Sequence, residues 1–306
     1  MKRHADPVDG LLLLNKPPGM TSNRALQVVR RLLNAQKAGH TGSLDPAATG
    51  MLPLCFGEAT KVCAYLLDAD KSYRVTAKLG SATDTGDADG QEIETASVPL
   101  LTEDAWNEIL QGFCGDTTQI PPMYSALKKD GKRLYELARK GEVVEREPRP
   151  VRIHKIELLE LAGTRLVFRV SCSKGTYIRV LVEDLAKKAG TIAHTARLHR
   201  ESVGDFKSAA MLDMAALEAL AEEGLEPLRA ELLDADIALA KLPAVTISVE
   251  DAQRFCGGQA VASDVEGQAG LARVYEAGKR FLGVGEIAVE GMLAPRRVFQ
   301  TQEKTS

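Results

Sequence analysis

The spacing of apolar residues along the chain predicts both strands and helices. Between Lys71 and Gly80 apolar and polar residues alternate, which is typical of a half-buried strand. After Thr21 and Ser22, residue types that cap helices, the apolar residues recur at helical spacing. The same reasoning predicts strands at 10–14, 151–161 and 165–173, and helices at 58–67, after Thr102, and at 134–140, 177–188 and 209–239.

These elements predict an α+β fold with a mixed, mostly antiparallel sheet. No regular strand–helix–strand repeat is present, and several strand pairs have the spacing of hairpins. The polar, glycine-bearing stretch 39–50 contains Pro46 and is predicted to be a loop. Past Leu242-Pro243, short apolar runs alternate with glycine turns, which indicates a small β-rich module. We therefore expect two domains, 10–241 and 242–306.

Composition narrows the class of protein. A chain of 306 residues with 44% hydrophobic content can bury a sizeable core. The sequence has no run of 18 apolar residues, so no membrane span is expected. Its five cysteines form no Cys-x-x-Cys pair, so neither a zinc site nor a disulfide framework is expected. A reducing, cytoplasmic location fits this pattern of cysteines.

Charge is distributed unevenly, although the net charge is only −3. Residues 211–236 contain eight acidic residues and one basic residue, whereas 128–155 contain ten basic and five acidic residues. A nucleic-acid surface needs local positive potential rather than a positive total. On charge alone, however, a solvated surface is the preferred explanation of the basic segment.

Two short segments could carry chemistry. The loop 39–50 combines His40, Asp45 and three glycines, so it can bring backbone amides and one fixed carboxylate to a ligand. An ordinary Asx turn at Asp45-Pro46 explains the same residues and is the commoner reading. In the second segment, 173–179, Tyr177 and Arg179 fall at a predicted helix start, where anions are favoured. The acidic stretch 81–90 is not expected to bind calcium, because Ala96 stands where the chelating glutamate would be.

Taken together, five ordered segments of the chain resemble the TruB family of transfer-RNA pseudouridine synthases. They cover most of residues 10–205, and the loop that carries Asp45 is specific by itself. The short C-terminal part, around Leu242–Phe299, resembles the PUA-like RNA-binding module of bacterial members. The matching segments are Leu14–Ser22, the Asp45 loop through Gly50, Lys71–Tyr73, Pro121–Lys128 and Cys172–Arg179.

The resemblance implies the pseudouridine synthase fold and a reaction centred on an aspartate. Asp45 matches the catalytic aspartate, Arg179 the arginine that pairs with it, and Tyr73 the tyrosine that stacks on the target uracil. A nearby cation favours the charged form of a carboxylate, so Arg179 is expected to keep Asp45 ionised. Two chemical routes stay open: Asp45 attacks C1′ of the sugar, or it removes a C2′ proton to give a glycal.

The resemblance also implies residues that bind the substrate. His40 matches a histidine that enters the T-loop against the displaced base, and Tyr177 matches a substrate-binding tyrosine. Leu198 matches a leucine that lines the uracil pocket, where Tyr73 is also expected.

The resemblance further implies the partner and the needs of the reaction. The partner is the T-arm stem-loop of transfer RNA, where the uridine at position 55 becomes pseudouridine. An isomerisation needs no cofactor, nucleotide or metal, and a monomer is expected.

The sequence argues against three alternative functions. A non-catalytic RNA binder or chaperone on the same scaffold is disfavoured by the intact Asp45, Tyr73 and Arg179. A synthase acting on another RNA would resemble eukaryotic relatives that carry basic extensions, whereas Thr301–Ser306 is short and of mixed charge. A metal-dependent nuclease would need clustered carboxylates, which the sequence motifs do not offer.

Overall fold

The computed structural model describes residues 5–125, 127–129, 131–263, 269–278 and 280–300, so the tail 301–306 lies outside the described residues. Its strands are β1 Gly10–Lys16, β2 Ala38–His40, β3 Thr49–Phe56, β4 Lys71–Leu79, β5 Ser81–Thr83, β6 Glu92–Thr95, β7 Gly115–Gln119, β8 Lys128–Lys129, β9 Lys132–Arg133, β10 Arg149–Ala162, β11 Arg165–Cys172, β12 Ala193–Val203, β13 Phe206–Lys207, β14 Leu212–Asp213, β15 Ala244–Ile247, β16 Val261–Ala262, β17 Gly270–Glu276, β18 Phe281–Ile287 and β19 Met292–Val298. Its α-helices are α1 Ser22–Leu32, α2 Cys63–Asp68, α3 Glu103–Gln111, α4 Leu134–Ala138, α5 Ile178–Lys188, α6 Met214–Glu223, α7 Leu225–Ala230 and α8 Val249–Cys256, and 3₁₀-helices occupy Gly57–Val62, Ser208–Ala210 and Ala235–Leu239.

One large sheet organises the first 240 residues. Its strands lie in the order β14-β1-β3-β12-β4-β11-β10-β7, with β2 paired to β3 and β13 to β12. The pairs β1–β14 and β3–β12 are parallel, and the other pairs are antiparallel. The predicted α+β fold with a mixed, mostly antiparallel sheet is therefore confirmed. Among the described residues, no helix is both long enough and apolar enough to cross a membrane.

Alternation along the central strand fixes which face of the sheet is buried. In β4, Tyr73, Val75, Ala77 and Leu79 are buried, while the residues between them are half-buried or exposed. These side chains share a core with apolar residues of α5, which covers this half of the sheet. A second core lies between α1 and the strands β1 and β3. Asp45 lies in the loop between β2 and β3 and therefore near the middle of the sheet.

Capping was predicted correctly at two helices. The Thr21 hydroxyl accepts a hydrogen bond from the Arg24 amide at 3.2 Å at the start of α1. The Thr102 hydroxyl accepts one from the Ala105 amide, also at 3.2 Å, at the start of α3. Each cap satisfies a helix amide that has no partner within its own helix.

Two predictions about secondary structure were wrong. Residues 39–50 are not a loop throughout, because His40 ends β2 and Thr49 begins β3, and both strands pair with neighbours in the sheet. The predicted helix 209–239 is broken into several pieces. Within it, β14 pairs with β1 through Leu14 and Leu212, and Gly224 separates α6 from α7 with a φ of +136°.

A second, five-stranded sheet with the order β15-β17-β18-β19-β16 forms the C-terminal module together with α8. The module packs against the first 240 residues through a small apolar cluster. This cluster includes Val62 and Leu239 from that part of the chain, and Val284 and Phe299 from the module. The Lys61 ammonium also donates to the Val298 carbonyl oxygen at 2.7 Å. The predicted β-rich C-terminal module is confirmed.

Candidate active site

The Asp45 loop is held in place by the segment that follows β1. The Ser22 hydroxyl accepts from the Leu44 amide at 2.8 Å, and the Gly19 amide donates to the Pro46 carbonyl at 2.9 Å. The buried Lys16 ammonium donates to the same Pro46 carbonyl at 3.1 Å. The backbone on both sides of Asp45 is therefore fixed by residues about 25 positions earlier in the chain.

Asp45 and Arg179 make a two-point ion pair. Arg179 Nε lies 3.0 Å from Asp45 Oδ2, and Nη2 lies 3.4 Å from Oδ1. The Arg179 side chain is 6% exposed, whereas the Asp45 side chain is 40% exposed. The guanidinium thus forms a buried support for a carboxylate that solvent, or a bound molecule, can reach.

Three further oxygens fix the orientation of Arg179, which lies in the first turn of α5. Nη1 donates to the Thr85 carbonyl at 2.8 Å, and Nη2 donates to the Tyr124 carbonyl at 2.7 Å. Nη1 also lies 3.7 Å from a carboxylate oxygen of Asp87. Since a guanidinium presents its donors in a rigid plane, these contacts leave little freedom to the face that meets Asp45.

Burial dominates the electrostatics of Asp45. Desolvation raises the pKa of its carboxyl above the ordinary value of 3.8, and the Arg179 guanidinium lowers it by less. The carboxylates of Asp87 and Asp89 add to the rise, and the Lys16 ammonium opposes it. Arg179 acts in the expected direction, because its cation favours the charged form of Asp45, but the cost of desolvation exceeds that attraction and leaves the pKa above its ordinary value.

Tyr73 lies on β4 beneath the Asp45 loop and belongs to the same core cluster as Leu44. Its side chain is only 8% exposed, so little of the ring reaches the cleft in this conformation. Burial raises the pKa of its hydroxyl, and the charge of Asp45 contributes to the rise. The two side chains are therefore close enough to interact electrostatically.

The remaining predicted substrate residues surround this centre. Tyr177 precedes the first residue of α5, and its amide donates to the Gln119 side chain at 2.9 Å. Leu198 lies on β12 opposite Val75 and packs against the core cluster that contains Tyr73. His40 ends β2, and its Nδ1 is buried without a hydrogen-bond partner in the described part of the chain. Burial, with a smaller effect of Arg200, lowers the pKa of His40 and favours the neutral ring.

Asp45 thus interacts electrostatically with Arg179, Tyr73 and Tyr177. The pKa of His40, in contrast, is lowered by burial and by Arg200. Beside Arg179, but not including Asp45, lies a cavity of about 860 Å³. Its lining includes Thr85 and Tyr124, whose carbonyls hold Arg179. Within the described ranges, no group of three or more His, Cys, Asp or Glu side chains is arranged to hold a metal ion.

Three family models match consecutive parts of the chain. The N-terminal domain of the TruB family of pseudouridylate synthases matches residues 30–178. A tRNA pseudouridylate synthase B C-terminal domain matches 179–240, and a C-terminal domain of pseudouridine synthase II TruB matches 243–299. Similar proteins include tRNA pseudouridine synthase B of Dechloromonas aromatica, 53% identical over 300 residues and covering 98% of both chains. The protein of the same name from Pseudomonas putida is 50% identical over 303 residues, which are 99% of both chains.

The chain belongs to the TruB family of pseudouridylate synthases. Solved structures with the same fold include an H/ACA RNP bound to a substrate RNA containing 2′-deoxyuridine, with a TM-score of 0.73 at 24% identity over 96% of this chain and 86% of that chain. The archaeal box H/ACA sRNP Nop10–Cbf5 complex gives the same TM-score and identity over 98% of this chain and 88% of the other. At this identity the likeness supports the pseudouridine synthase fold alone.

Three buried charged residues lie around Asp45 and its loop, and the sequence assigns no role to any of them. They are Lys16, Asp87 and Arg200, which are between 0% and 9% exposed. Lys16 belongs to a segment that matches the family, and Asp87 belongs to the acidic stretch 81–90. Arg200 follows Leu198 by two positions and carries no pattern of its own. A buried charge is the signal that all three share, and it is visible only once the chain is folded.

Proposed function

We propose that this TruB-family chain converts the uridine at position 55, in the T-loop of transfer RNA, to pseudouridine. The Asp45–Arg179 pair carries the proposal, because it combines an accessible carboxylate with a buried, rigidly held cation. The names of the relatives, tRNA pseudouridine synthase B, support the substrate class. Asp45 is the essential carboxylate in this proposal, and no cofactor takes part.

The target uracil lies inside a folded loop, so it must be turned out of the RNA before Asp45 can reach its sugar. Extrusion costs a few kcal/mol, and stacking on an aromatic ring returns about 1–3 kcal/mol. We assign Tyr73 to that stacking, with Leu198 and Tyr177 lining the uracil site. Because Tyr73 is only 8% exposed, the base must meet the accessible part of its ring. His40 would occupy the space that the base leaves in the T-loop.

The reaction moves one bond without net oxidation or reduction. The bond between C1′ and N1 breaks, the uracil turns, and C5 bonds to C1′. The hydrogen that leaves C5 is balanced by the proton gained at N1, so the product is an isomer of the substrate. Ionised Asp45 either bonds to C1′ as N1 leaves, or takes the C2′ proton to give a glycal. Both routes remain open, and both need the carboxylate form of Asp45.

Two surfaces are assigned to the rest of the RNA. The basic segment 128–155 begins next to Tyr124, whose carbonyl holds Arg179, and therefore adjoins the site. Within it, the guanidinium groups of Arg133 and Arg139 lie over the Tyr135 ring at 5.9 and 5.6 Å. The second surface is on the C-terminal module, so we propose 10–241 as the catalytic domain and 242–306 as an RNA grip. Distributed phosphate contacts of this kind supply most affinity for nucleic acid.

The direct test incubates the purified chain with unmodified transfer-RNA transcript and maps pseudouridine at each uridine. Asp45→Asn keeps the shape of the loop but removes the ionisable oxygen, so it should bind the transcript and form no pseudouridine. Thermal melting of Asp45→Asn checks that the variant folds. Turnover by Asp45→Asn near the wild-type rate would refute the role of Asp45.

A further inference from the structure

Arg200 lies beneath the candidate site without being part of its accessible surface. Its side chain is 1% exposed, among the largest fully buried side chains of the described residues. It lies on β12, where it pairs with Tyr73 of β4 on one side and with Gly50 of β3 on the other. It therefore lies between β4, which carries Tyr73, and the start of β3, where the Asp45 loop ends.

The guanidinium of Arg200 contacts both ends of the Asp45 loop. Nε donates to the Met51 carbonyl at 2.6 Å, and Nη2 donates to the Gly42 carbonyl at 2.9 Å. These two residues flank Asp45 on either side. Tyr73 lies directly opposite Arg200 in the β4–β12 pair, and the guanidinium acts to lower the pKa of the Tyr73 hydroxyl. One planar group thus joins the start of the loop to its end and acts on the hydroxyl of Tyr73.

The backbone around Arg200 is packed as closely as its side chain. A Cβ on Gly50 would lie 2.3 Å from the Arg200 carbonyl oxygen and 2.7 Å from its amide nitrogen. The backbones of β3 and β12 therefore approach so closely at this point that only glycine fits between them.

Charge gives Arg200 a role beyond packing. None of the ion pairs in the described part of the chain includes it, and the acceptors of its described hydrogen bonds are the Met51 and Gly42 carbonyl oxygens. A buried charge without a counter-charge carries a desolvation penalty, which an apolar side chain of similar size would avoid. Charged donors, however, make shorter and stronger hydrogen bonds than neutral ones. The arrangement favours accurate placement of the loop over stability.

We propose that Arg200 is a positioning residue for the reaction, which fixes the Asp45 loop at both ends and holds Tyr73 at a set distance from it. The inference rests on the proposed function, since it concerns the placement of the groups assigned to that reaction. Arg200 itself touches no substrate, because its side chain is buried. Its effect on catalysis passes through Gly42, Met51 and Tyr73.

The first test replaces the planar guanidinium of Arg200 with an ammonium, which is a point charge. In Arg200→Lys one ammonium cannot bind the Gly42 and Met51 carbonyl oxygens with the geometry of a guanidinium. Since a misplacement of about 1 Å can cost on the order of a hundredfold in rate, we expect a loss of that order in single-turnover rate at saturating enzyme. RNA affinity should stay within about twofold, because it comes from distributed contacts elsewhere. Arg197→Lys, at an exposed arginine on the same strand, is the matched control and should react as wild type does.

The second test asks whether Arg200 acts through Tyr73. Tyr73→Phe removes only the hydroxyl on which the guanidinium acts. If the two residues are coupled, the double variant Tyr73→Phe/Arg200→Lys should lose clearly less rate than the product of the two single losses. Multiplicative losses would show that Arg200 does not hold Tyr73 and would overturn the proposal.

The outcomes separate this inference from the proposed function. A wild-type chain that forms no pseudouridine refutes the proposed function, whereas an active wild type with an equally active Arg200→Lys refutes only the inference. Near-ultraviolet circular dichroism and thermal melting check that each variant folds. If Arg200→Lys does not fold, Arg200→Gln, which keeps an amide donor, takes its place. Failure of both to fold would make Arg200 a residue of the fold rather than of the reaction, and would also overturn the inference.

Discussion

Among single residues, Asp45 shows best how pairing and burial compete. Arg179 contacts its carboxylate at two points, yet burial raises the pKa of Asp45 more than the guanidinium lowers it. A carboxylate that is poorly solvated and partly accessible is a stronger base and nucleophile than one in water. The pair therefore orients Asp45 without removing its reactivity. The pH dependence of the reaction should report this balance.

The single-turnover rate of wild type should fall as pH falls, with a midpoint above the ordinary aspartate value of 3.8, because only ionised Asp45 reacts. Arg179→Ala removes a cation that lowers the pKa of Asp45, so its midpoint should move to higher pH. Arg179→Lys keeps the charge and should move the midpoint less, while its plateau falls on the order of a hundredfold through lost orientation. The measurement is rate against pH on an unmodified T-arm stem-loop.

The control for these variants is Arg169→Lys on β11, whose guanidinium contacts the Glu201 carboxylate of β12 at 2.7 Å. It should leave both midpoint and plateau unchanged. Two results would contradict the Asp45–Arg179 interpretation: a midpoint that moves to lower pH in Arg179→Ala, or an Arg179→Lys plateau equal to that of wild type. Arg179 would then be better explained as a phosphate contact at the start of α5.

At the scale of elements, β3 is the strand next to the Asp45 loop that the sequence pattern did not predict. Residues 49–56 are almost entirely apolar, contain Pro53, and lack the alternation that reveals a half-buried strand. The structure explains this pattern, because seven of the eight residues are buried between β1, β2 and β12. Near the start of β3 the backbone of residue 50 has a φ of +98°, a conformation that glycine adopts readily and other residues do not.

Gly50→Ala should therefore lower both stability and rate. A Cβ there would lie 2.3 Å from the Arg200 carbonyl oxygen, so β3 and β12 would have to separate. Gly163→Ala is the matched control, since Gly163 also has a positive φ of +58° but no heavy atom within 4 Å of its Cβ position. The control should lose roughly 1–2 kcal/mol from backbone strain alone, and Gly50→Ala about 1–3 kcal/mol more from overpacking. Urea unfolding measures both, and equal losses would contradict the close approach at Gly50.

Elements with a clear period were predictable from the sequence, and so were residues inside recognisable segments. The alternation of β4 and the caps at Thr21 and Thr102 gave correct elements because each depends on local chemistry. Asp45 and Arg179 were named from short segments, and the structure places them in contact. The role of Arg200 depends on carbonyl groups about 150 residues away, which no local pattern encodes. The helix predicted at 209–239 was wrong for a similar reason, since pairing of β14 with β1 overrides helix propensity.

For the whole molecule, the described contact between the C-terminal module and the rest of the chain combines a small apolar cluster with a few hydrogen bonds. Phe299 is 4% exposed and belongs to the cluster that joins the module to Val62 and Leu239. Its ring lies 4.9 Å from that of Phe281, and the Lys61 ammonium lies 5.7 Å from its centre. A contact of this kind positions the module while leaving the Asp45 site untouched. Binding and chemistry should therefore be separable.

Phe299→Ala should loosen the module without damaging catalysis. Removing a buried phenylalanine typically costs 3–5 kcal/mol, and here the loss falls on the contact between module and body. If the module grips RNA, the loosened chain must order it again on binding, so affinity should weaken. The single-turnover rate at saturating enzyme should stay near that of wild type, because the loop of Asp45 and the helix of Arg179 both belong to the part of the chain that is built on the large sheet. Limited proteolysis around residues 240–243 should become faster.

Val289→Ala is the control for Phe299→Ala, because Val289 lies in the same module and is 89% exposed. It should change neither proteolysis, affinity nor rate. A Phe299→Ala chain that is cut faster yet binds unmodified transfer RNA as tightly as wild type would show that the module is not an RNA grip. A loss of rate at saturating enzyme, with Asp45 and Arg179 intact, would instead show that the module helps to shape the catalytic domain. Weaker binding with an unchanged rate is the result expected for a separate grip.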